Sequence, residues 1–238
     1  MSGQDEEAPL PRALELLWQE PPARGARQGG LSRELIVAAA IELADAEGLG
    51  ALSMARLAER LNCGTMSLYR HIANKDELLT FMVSQAPGPP PARREEGWRA
   101  AVETWAHGLW AVYHRHRWIL ATASFGPPLD PGQLAWLDAG LAALAGTGLT
   151  ERDKLAAVMA VLHFVRGAAA LGGDRADTAD HPVSYPAVLR RVVDAERLPA
   201  LAAAVDAGVF DDADGEDSGF RAGLAQLLDG IAARISHA

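Results

Sequence analysis

The sequence predicts an all-α chain, an N-terminal helix-turn-helix unit followed by a larger helical unit. Three observations carry this. Apolar residues recur at helical spacing along most of the chain, no segment shows sustained period-two alternation, and caps, glycines and prolines fall where helices would start and stop. With 238 residues, the chain is long enough for one or two domains and a sizeable core.

Composition narrows the function classes. Hydrophobic residues at 49% and charged residues at 22% are those of an ordinary globular protein. Lys and Arg number 22 against 31 Asp and Glu, a net charge of −9, which disfavours a general coat for polyanions, so any DNA contact must be local. The single cysteine, Cys63, permits no intramolecular disulfide and no cysteine zinc cluster, and a reducing cytoplasm is the natural reading. Residues 1–8 lack the basic and apolar regions of a secretion signal. The most apolar stretch, residues 155–172, is interrupted by His163 and Arg166, so it reads as a buried helix with no membrane role.

Residues 1–30 are polar and rich in Pro, Gly and Arg apart from Leu14, Leu16, Leu17 and Trp18, and read as a flexible arm. Its Arg24 and Arg27 are candidates for entering a DNA minor groove, against the alternative of an inert leader. The unit over residues 31–86 opens with Ser32 as N-cap and Leu31 placed to staple against Ile36. Its first helix runs about Arg33 to Glu47, with Gly48-Leu49 as a left-handed stop. Ser53 caps a second helix through Leu61, Asn62-Cys63-Gly64 makes a turn, and a third begins near Thr65, itself a good N-cap. Asn74 and Glu77 form a capping box for a fourth, Lys75 to about Gln85, which Pro87-Gly88-Pro89-Pro90-Pro91 ends as a domain boundary. The unit over residues 95–238 carries helical patterns at Glu95 to His116, Trp118 to Ser124, Gly132 to Ala145, Arg152 to Leu171, Pro186 to Ala207 and Gly219 to Ser236. Gly126-Pro127-Pro128, Gly146-Thr147-Gly148, Gly172-Gly173 and the acidic stretch 211–217 separate them.

Residues 53–79 read physically as a helix-turn-helix. Leu57, Ala58, Leu61, Leu68 and Ile72 can face a core, which leaves Thr65, Met66, Ser67, Tyr69 and Arg70 at or near the opposite surface for a DNA groove. Lys75 opens a helix, an unfavourable place for a cation, which favours a phosphate partner. The unit over residues 31–86 nevertheless holds five cations against seven carboxylates, so long-range steering of DNA is weak.

Ile41-Glu-Leu-Ala-Asp-Ala-Glu-Gly48, Leu52-Ser53, Leu57-Ala58, Gly64-Thr-Met-Ser-Leu-Tyr69, His71 and Asn74-Lys-Asp-Glu-Leu-Leu79 together resemble the N-terminal domain of the TetR family of bacterial transcriptional regulators. The remainder is similar, more weakly, to the C-terminal domain of the tetracycline-repressor branch, in particular actinobacterial members with a long arm. The resemblance implies a homodimeric repressor that binds a palindromic operator and leaves it when a small molecule enters the C-terminal domain. It places Thr65, Met66, Ser67 and His71 where the family contacts bases or adjacent backbone, and Ser53, Tyr69 and Lys75 where it grips phosphates.

In the C-terminal unit Trp98, Val102, Trp105, Leu109 and Val112 make one helical stripe, and Ala106, Trp110 and Tyr113 another. Each tryptophan taken singly reads as core packing. Together, Trp105, Trp110, Tyr113, Trp118, Trp136 and Phe164 with His107, His116 and His163 would furnish a mostly apolar cavity with a few polar groups, a composition suited to a small aromatic molecule. His114 and His116 stand two apart, which does not put two ligands on one helix face, and neither a metal nor another cofactor is expected. The Arg152 to Leu171 helix is apolar nearly all round and needs cover on both sides. With Met159, Leu162 and Arg166 on it, and Leu224, Leu227, Leu228 and Ile231 on the last helix, the two can build an intersubunit four-helix bundle as in the family, the alternative being an intrachain core. An all-helical enzyme is a competing class, but there is no nucleophile elbow, phosphate loop or convincing triad. A ligand-blind architectural DNA-binding protein is a third, disfavoured by the acidic balance.

Overall fold

A computed structural model describes residues 10–19, 30–92, 97–122, 128–177, 184–211 and 216–237. Arg24 and Arg27 lie outside the described residues. Among the described residues all regular structure is helical: α1 Arg12–Trp18, α2 Arg33–Glu47, α3 Met54–Arg60, α4 Thr65–Tyr69, α5 Lys75–Gln85, α6 Gly97–Arg115, α7 Trp118–Ala121, α8 Pro131–Ala143, α9 Glu151–Asp177, α10 Tyr185–Val192, α11 Pro199–Asp206 and α12 Glu216–Ile235.

Caps set the boundaries of the N-terminal unit. Leu35 N donates to Ser32 Oγ at 3.2 Å, Arg56 N to Ser53 Oγ at 3.2 Å and Glu77 N to Asn74 Oδ1 at 2.8 Å, each satisfying a backbone N–H that a helix start leaves over. Gly48 ends α2 at φ 79°, ψ 163°, which only glycine adopts freely, although its ψ is not that of the expected left-handed stop. Asn62, at φ 48°, supplies the left-handed residue of the turn between α3 and α4. The cap of α4 is Gly64 rather than Thr65, which is already the first helical residue. Ile36, Leu57, Leu68, Ile72, Leu78, Phe81 and Met82 are fully buried, each contributing roughly 1.5–3 kcal/mol, and they lock α2 to α5 into one body.

Three expectations give way. Residues 12–18, expected within a flexible arm, form α1, which buries Ala13 and Leu14 and packs on α5. The Pro186 to Ala207 pattern splits into α10 and α11, because Pro199 holds Leu198 out of helical geometry at φ −134°, ψ 58°. Gly172-Gly173 does not end α9, which continues to Asp177. The proline run follows the end of α5, and one hydrophobic core extends across it, from Ala13 and Ile36 through Phe81 and Trp105 to Ile231.

In the C-terminal unit α6, α8 and α9 pack together and α12 lies along α9. Asp130 caps α8, with Gln133 N donating to Oδ1 at 2.9 Å and Pro131 at the first turn. Glu151–Leu171 of α9 is long and apolar enough to cross a membrane by length and composition. It instead buries one face through Val158, Val161, Val165 and Ala169. Cover is one-sided, and the other face leaves Leu155, Ala156, Ala160, Gly167 and Ala170 exposed.

Candidate functional site

The short helix α4 buries Leu68 completely, and that anchor turns the rest of the helix outward. Met66 is 77% and Tyr69 47% exposed, unusual for large apolar side chains, and Thr65 and Arg70 are exposed beside them. Ser67 and His71 are half-buried at the edge, and Arg70 Nη2 donates to Ser67 Oγ at 3.2 Å. Ser53 is exposed at the start of α3, its oxygen accepting from Arg56 N.

Cations near this face divide into two sets. Arg56 pairs with Glu47 at 2.6 Å and Arg60 with Glu42 at 2.9 Å, while Arg33 lies 3.7 Å from Glu34 and 5.1 Å over the Phe81 ring. Glu34 is held below the usual carboxylate range, chiefly by a backbone hydrogen bond. Arg70 and Lys75 have no carboxylate partner among the described residues. Lys75 Nζ donates to Leu52 O at 2.8 Å, which fastens α5 to the loop before α3 and gives this lysine a reason to be there without DNA.

A cavity of about 740 Å³ lies beneath this unit, walled by α1, α5, α6, α8 and α9. From α5 come Asp76, Leu79, Thr80 and Val83, from α6 Trp105, Leu109, Val112 and Tyr113, and from α8 Gln133, Trp136 and Leu137. Trp105 Nε1 donates to Trp136 O at 2.8 Å and Trp136 Nε1 to Gly88 O at 2.9 Å, so both indoles are satisfied and held rigid. The α9 wall is Met159, Leu162, His163 and Arg166. Arg166 stands 6.0 Å over the Tyr113 ring and has no carboxylate partner among the described residues. Burial pushes the Tyr113 phenol up, an effect that the nearby Arg166 opposes.

Of the nine side chains expected in one cavity, Trp105, Tyr113, Trp136 and His163 line it and five do not. His116 and Trp118 face the N-terminal unit, where both bond Asp45 of α2, His116 Nδ1 at 2.8 Å and Trp118 Nε1 at 2.7 Å from the same Oδ1. His107, Trp110 and Phe164 gather around Phe220 of α12, at ring-centroid distances of 5.3, 4.2 and 5.8 Å. Helical register explains the error: residues three and four apart share a face, and α6 has two faces covered by different partners.

The residues expected between subunits need a matching correction. Leu224, Leu228 and Ile231 are buried within the chain, Met159, Leu162 and Arg166 line the cavity, and Leu227 alone of the seven is neither. Sequence reading missed Asp45, the α1 residues Pro11, Ala13 and Leu14 on the cavity wall, and Asp130 and Gln133 beside them. The α1 signal was present in Pro11 followed by Ala13, Leu14 and Leu17 at helical spacing. Among the described residues no group of three or more His, Cys, Asp or Glu is arranged to hold a metal ion.

Comparison with known proteins agrees with this architecture. Residues 36–80 match the family model for bacterial regulatory proteins of the tetR family, and residues 90–235 match that for the tetracyclin repressor-like C-terminal domain. The chain is 34% identical over 236 residues to the HTH-type transcriptional repressor DrrR1 of Streptomyces coeruleorubidus, covering 93% of this chain and 85% of that one. It is 30% identical over 220 residues to the class A tetracycline repressor protein from transposon 1721 of Escherichia coli, covering 86% and 92%. Among solved structures, ActR of Streptomyces coelicolor in complex with actinorhodin superposes with a TM-score of 0.73 at 26% identity, over 87% of this chain and 99% of that one. ActR in complex with (S)-DNPA gives 0.72 at 28% identity, with the same coverage. On both family matches and on these relatives, the chain belongs to the TetR family of bacterial regulators and is a DNA-binding transcriptional regulator.

Proposed function

We propose that this regulator is a cytoplasmic homodimeric repressor, released from a palindromic operator when a small, largely apolar aromatic molecule occupies the cavity. The observation that carries the reading is the double duty of α5. One face buries Leu78, Phe81 and Met82 in the DNA-facing unit, while Asp76, Leu79, Thr80 and Val83 of the same helix wall the cavity. Occupancy that tilts α5 moves α4, and so changes the spacing of two recognition helices that must enter major grooves about 34–36 Å apart, or a multiple of that. The molecule must prefer the DNA-incompetent arrangement, since equal affinity for both shifts nothing.

In this reading Thr65, Met66, Ser67 and His71 meet bases or the adjacent backbone, and Ser53, Tyr69, Arg70 and Lys75 meet phosphates. Arg24 and Arg27 remain candidates for the flanking minor groove. The second subunit docks on the exposed stripe of α9, where Ala156, Ala160, Gly167 and Ala170 permit close helix approach, together with the outer face of α12. That ligand complexes are known for ActR supports an effector of this size class.

Selection of bound sequences from random DNA by the purified protein, followed by footprinting, tests the DNA half. The expected result is a palindrome whose half-sites lie one turn or a multiple apart, with Met66→Ala changing base preference and Tyr69→Phe weakening all variants alike. Sequence-independent protection would overturn it. A panel of polycyclic aromatic compounds screened for release of the selected operator tests the ligand half.

A further inference from the structure

We propose that the N-terminal helix α1 is a component of the effector site, the wall that contacts the apolar edge of the bound molecule. This rests on the reading of the cavity as that site. Pro11, Ala13 and Leu14 line the cavity although they precede the DNA-facing unit in the chain, and Ala13 and Leu14 are only 8% exposed.

Two interactions hold α1 there, one at each end. Arg12 Nη1 donates to both oxygens of Glu77, at 2.7 and 2.6 Å, and the Glu77 side chain is 6% exposed. A buried carboxylate with such a partner is costly to strip, so the docking is specific. At the other end Trp18 Nε1 donates to Leu129 O at 2.9 Å, next to Asp130, where α8 begins. The same Glu77 carboxylate accepts from Ala73 N at 3.1 Å, just beyond the recognition helix, so what presses on α1 is felt at the start of α5.

The chemistry of the walls orients the guest. The α1 wall presents the apolar side chains of Pro11, Ala13 and Leu14, with the carboxylates Asp76 and Asp130 on neighbouring walls, whereas α9 offers Arg166, which has no carboxylate partner among the described residues. The fitting ligand is an aromatic molecule with an acidic group on one edge, its rings toward α1 and its acid toward Arg166.

The test uses full-length protein and the fluorophore 1-anilinonaphthalene-8-sulfonate, an aromatic anion, with affinity read by calorimetry. Leu14→Trp fills the cavity from α1, Arg12→Ala releases the docking, and Leu162→Trp fills the cavity from α9. Folding of each is checked by circular dichroism. The expected result is binding weakened tenfold or more by Leu14→Trp, severalfold by Arg12→Ala and tenfold or more by Leu162→Trp. If both α1 variants stay within twofold of wild type while Leu162→Trp weakens binding tenfold, α1 is no part of the site and the cavity reading survives. If all three stay within twofold, the cavity reading falls and the α1 proposal with it.

Discussion

Asp45 and His116 join the two halves of the chain: one carboxylate oxygen of α2 lies 2.8 Å from the imidazole Nδ1 that follows α6, and the Trp118 indole reaches that same oxygen at 2.7 Å. A carboxylate oxygen shared by two buried ring N–H groups fixes both direction and distance, which an apolar contact does not. Asp45 thus helps fasten the DNA-facing unit to the cavity-bearing unit at the α6–α7 corner, as α5 does through its packing on α8.

Replacing Asp45 with alanine strips both donors while His116 and Trp118 remain buried, at 7% and 5% exposure. The expected loss is about 2–6 kcal/mol in urea unfolding, since each of the two buried unsatisfied donors costs about 1–3 kcal/mol. Asp45→Asn keeps an acceptor oxygen and should recover part of it. Equal stability of all three proteins would show that the junction contributes nothing.

Charge at the DNA face makes a second prediction. Arg70 has no carboxylate partner among the described residues, whereas Arg60 is paired with Glu42 at 2.9 Å. Arg70→Ala should therefore lower the slope of log affinity against log salt by about one unit, and Arg60→Ala by clearly less. Binding titrations on the selected operator across salt concentrations read both, and equal slopes for the two variants would contradict this assignment.

The helix-turn-helix was legible in the sequence because its signals are local. Ser32, Ser53 and Asn74 each cap the helix they were read to cap, and Leu57, Leu68 and Ile72 face the core. The cavity was only half legible, because it depends on which helix covers each face of α6, and that is a long-range fact. His116 looked like a cavity histidine until Asp45, 71 residues away in the chain, supplied its partner. The large residues of α12 suit an interface as well as a core, because an apolar stripe does not say whether its cover comes from the same chain or another.

That ambiguity leads to a third prediction. The exposed small residues of α9, not its buried valines, should carry the dimer, so Ala160→Glu places a charge in a close helix contact without disturbing Val158 or Val161. Sedimentation should show monomers where wild type is dimeric, with helical content retained and operator affinity lost. A dimeric Ala160→Glu protein would move the interface elsewhere.

Tyr113 predicts the alkaline limit of stability. Its phenol is pushed up because burial penalises the phenolate, Arg166 opposing in part, so folding favours the protonated form. That contribution is complete below the ordinary tyrosine value of about 10 and is lost as pH rises through the raised folded value. Tyr113→Phe should accordingly flatten the decline of unfolding free energy with pH above about 10. An identical decline in both proteins would assign it to other groups.

The last prediction concerns how α5 and α8 move together. A Cβ added at Gly132 would lie 1.9 Å from Ser84 O and 2.8 Å from Ser84 C, and because these atoms are backbone, no side-chain rotation relieves the contact. The start of α8 must then shift off the end of α5, and Gly132→Ala should cost about 1–3 kcal/mol or more, as overpacking does. Ser84→Ala is the control. It removes only the 3.3 Å bond from Gly132 N to Ser84 Oγ and should cost no more than about 1 kcal/mol. If this contact sets the tilt of α5, Gly132→Ala also changes operator affinity at temperatures where the protein is fully folded, while Ser84→Ala leaves it alone. Unchanged operator affinity in a folded Gly132→Ala protein would mean that α4 takes its position from Asp45 and the core of the DNA-facing unit, and not from the cavity walls.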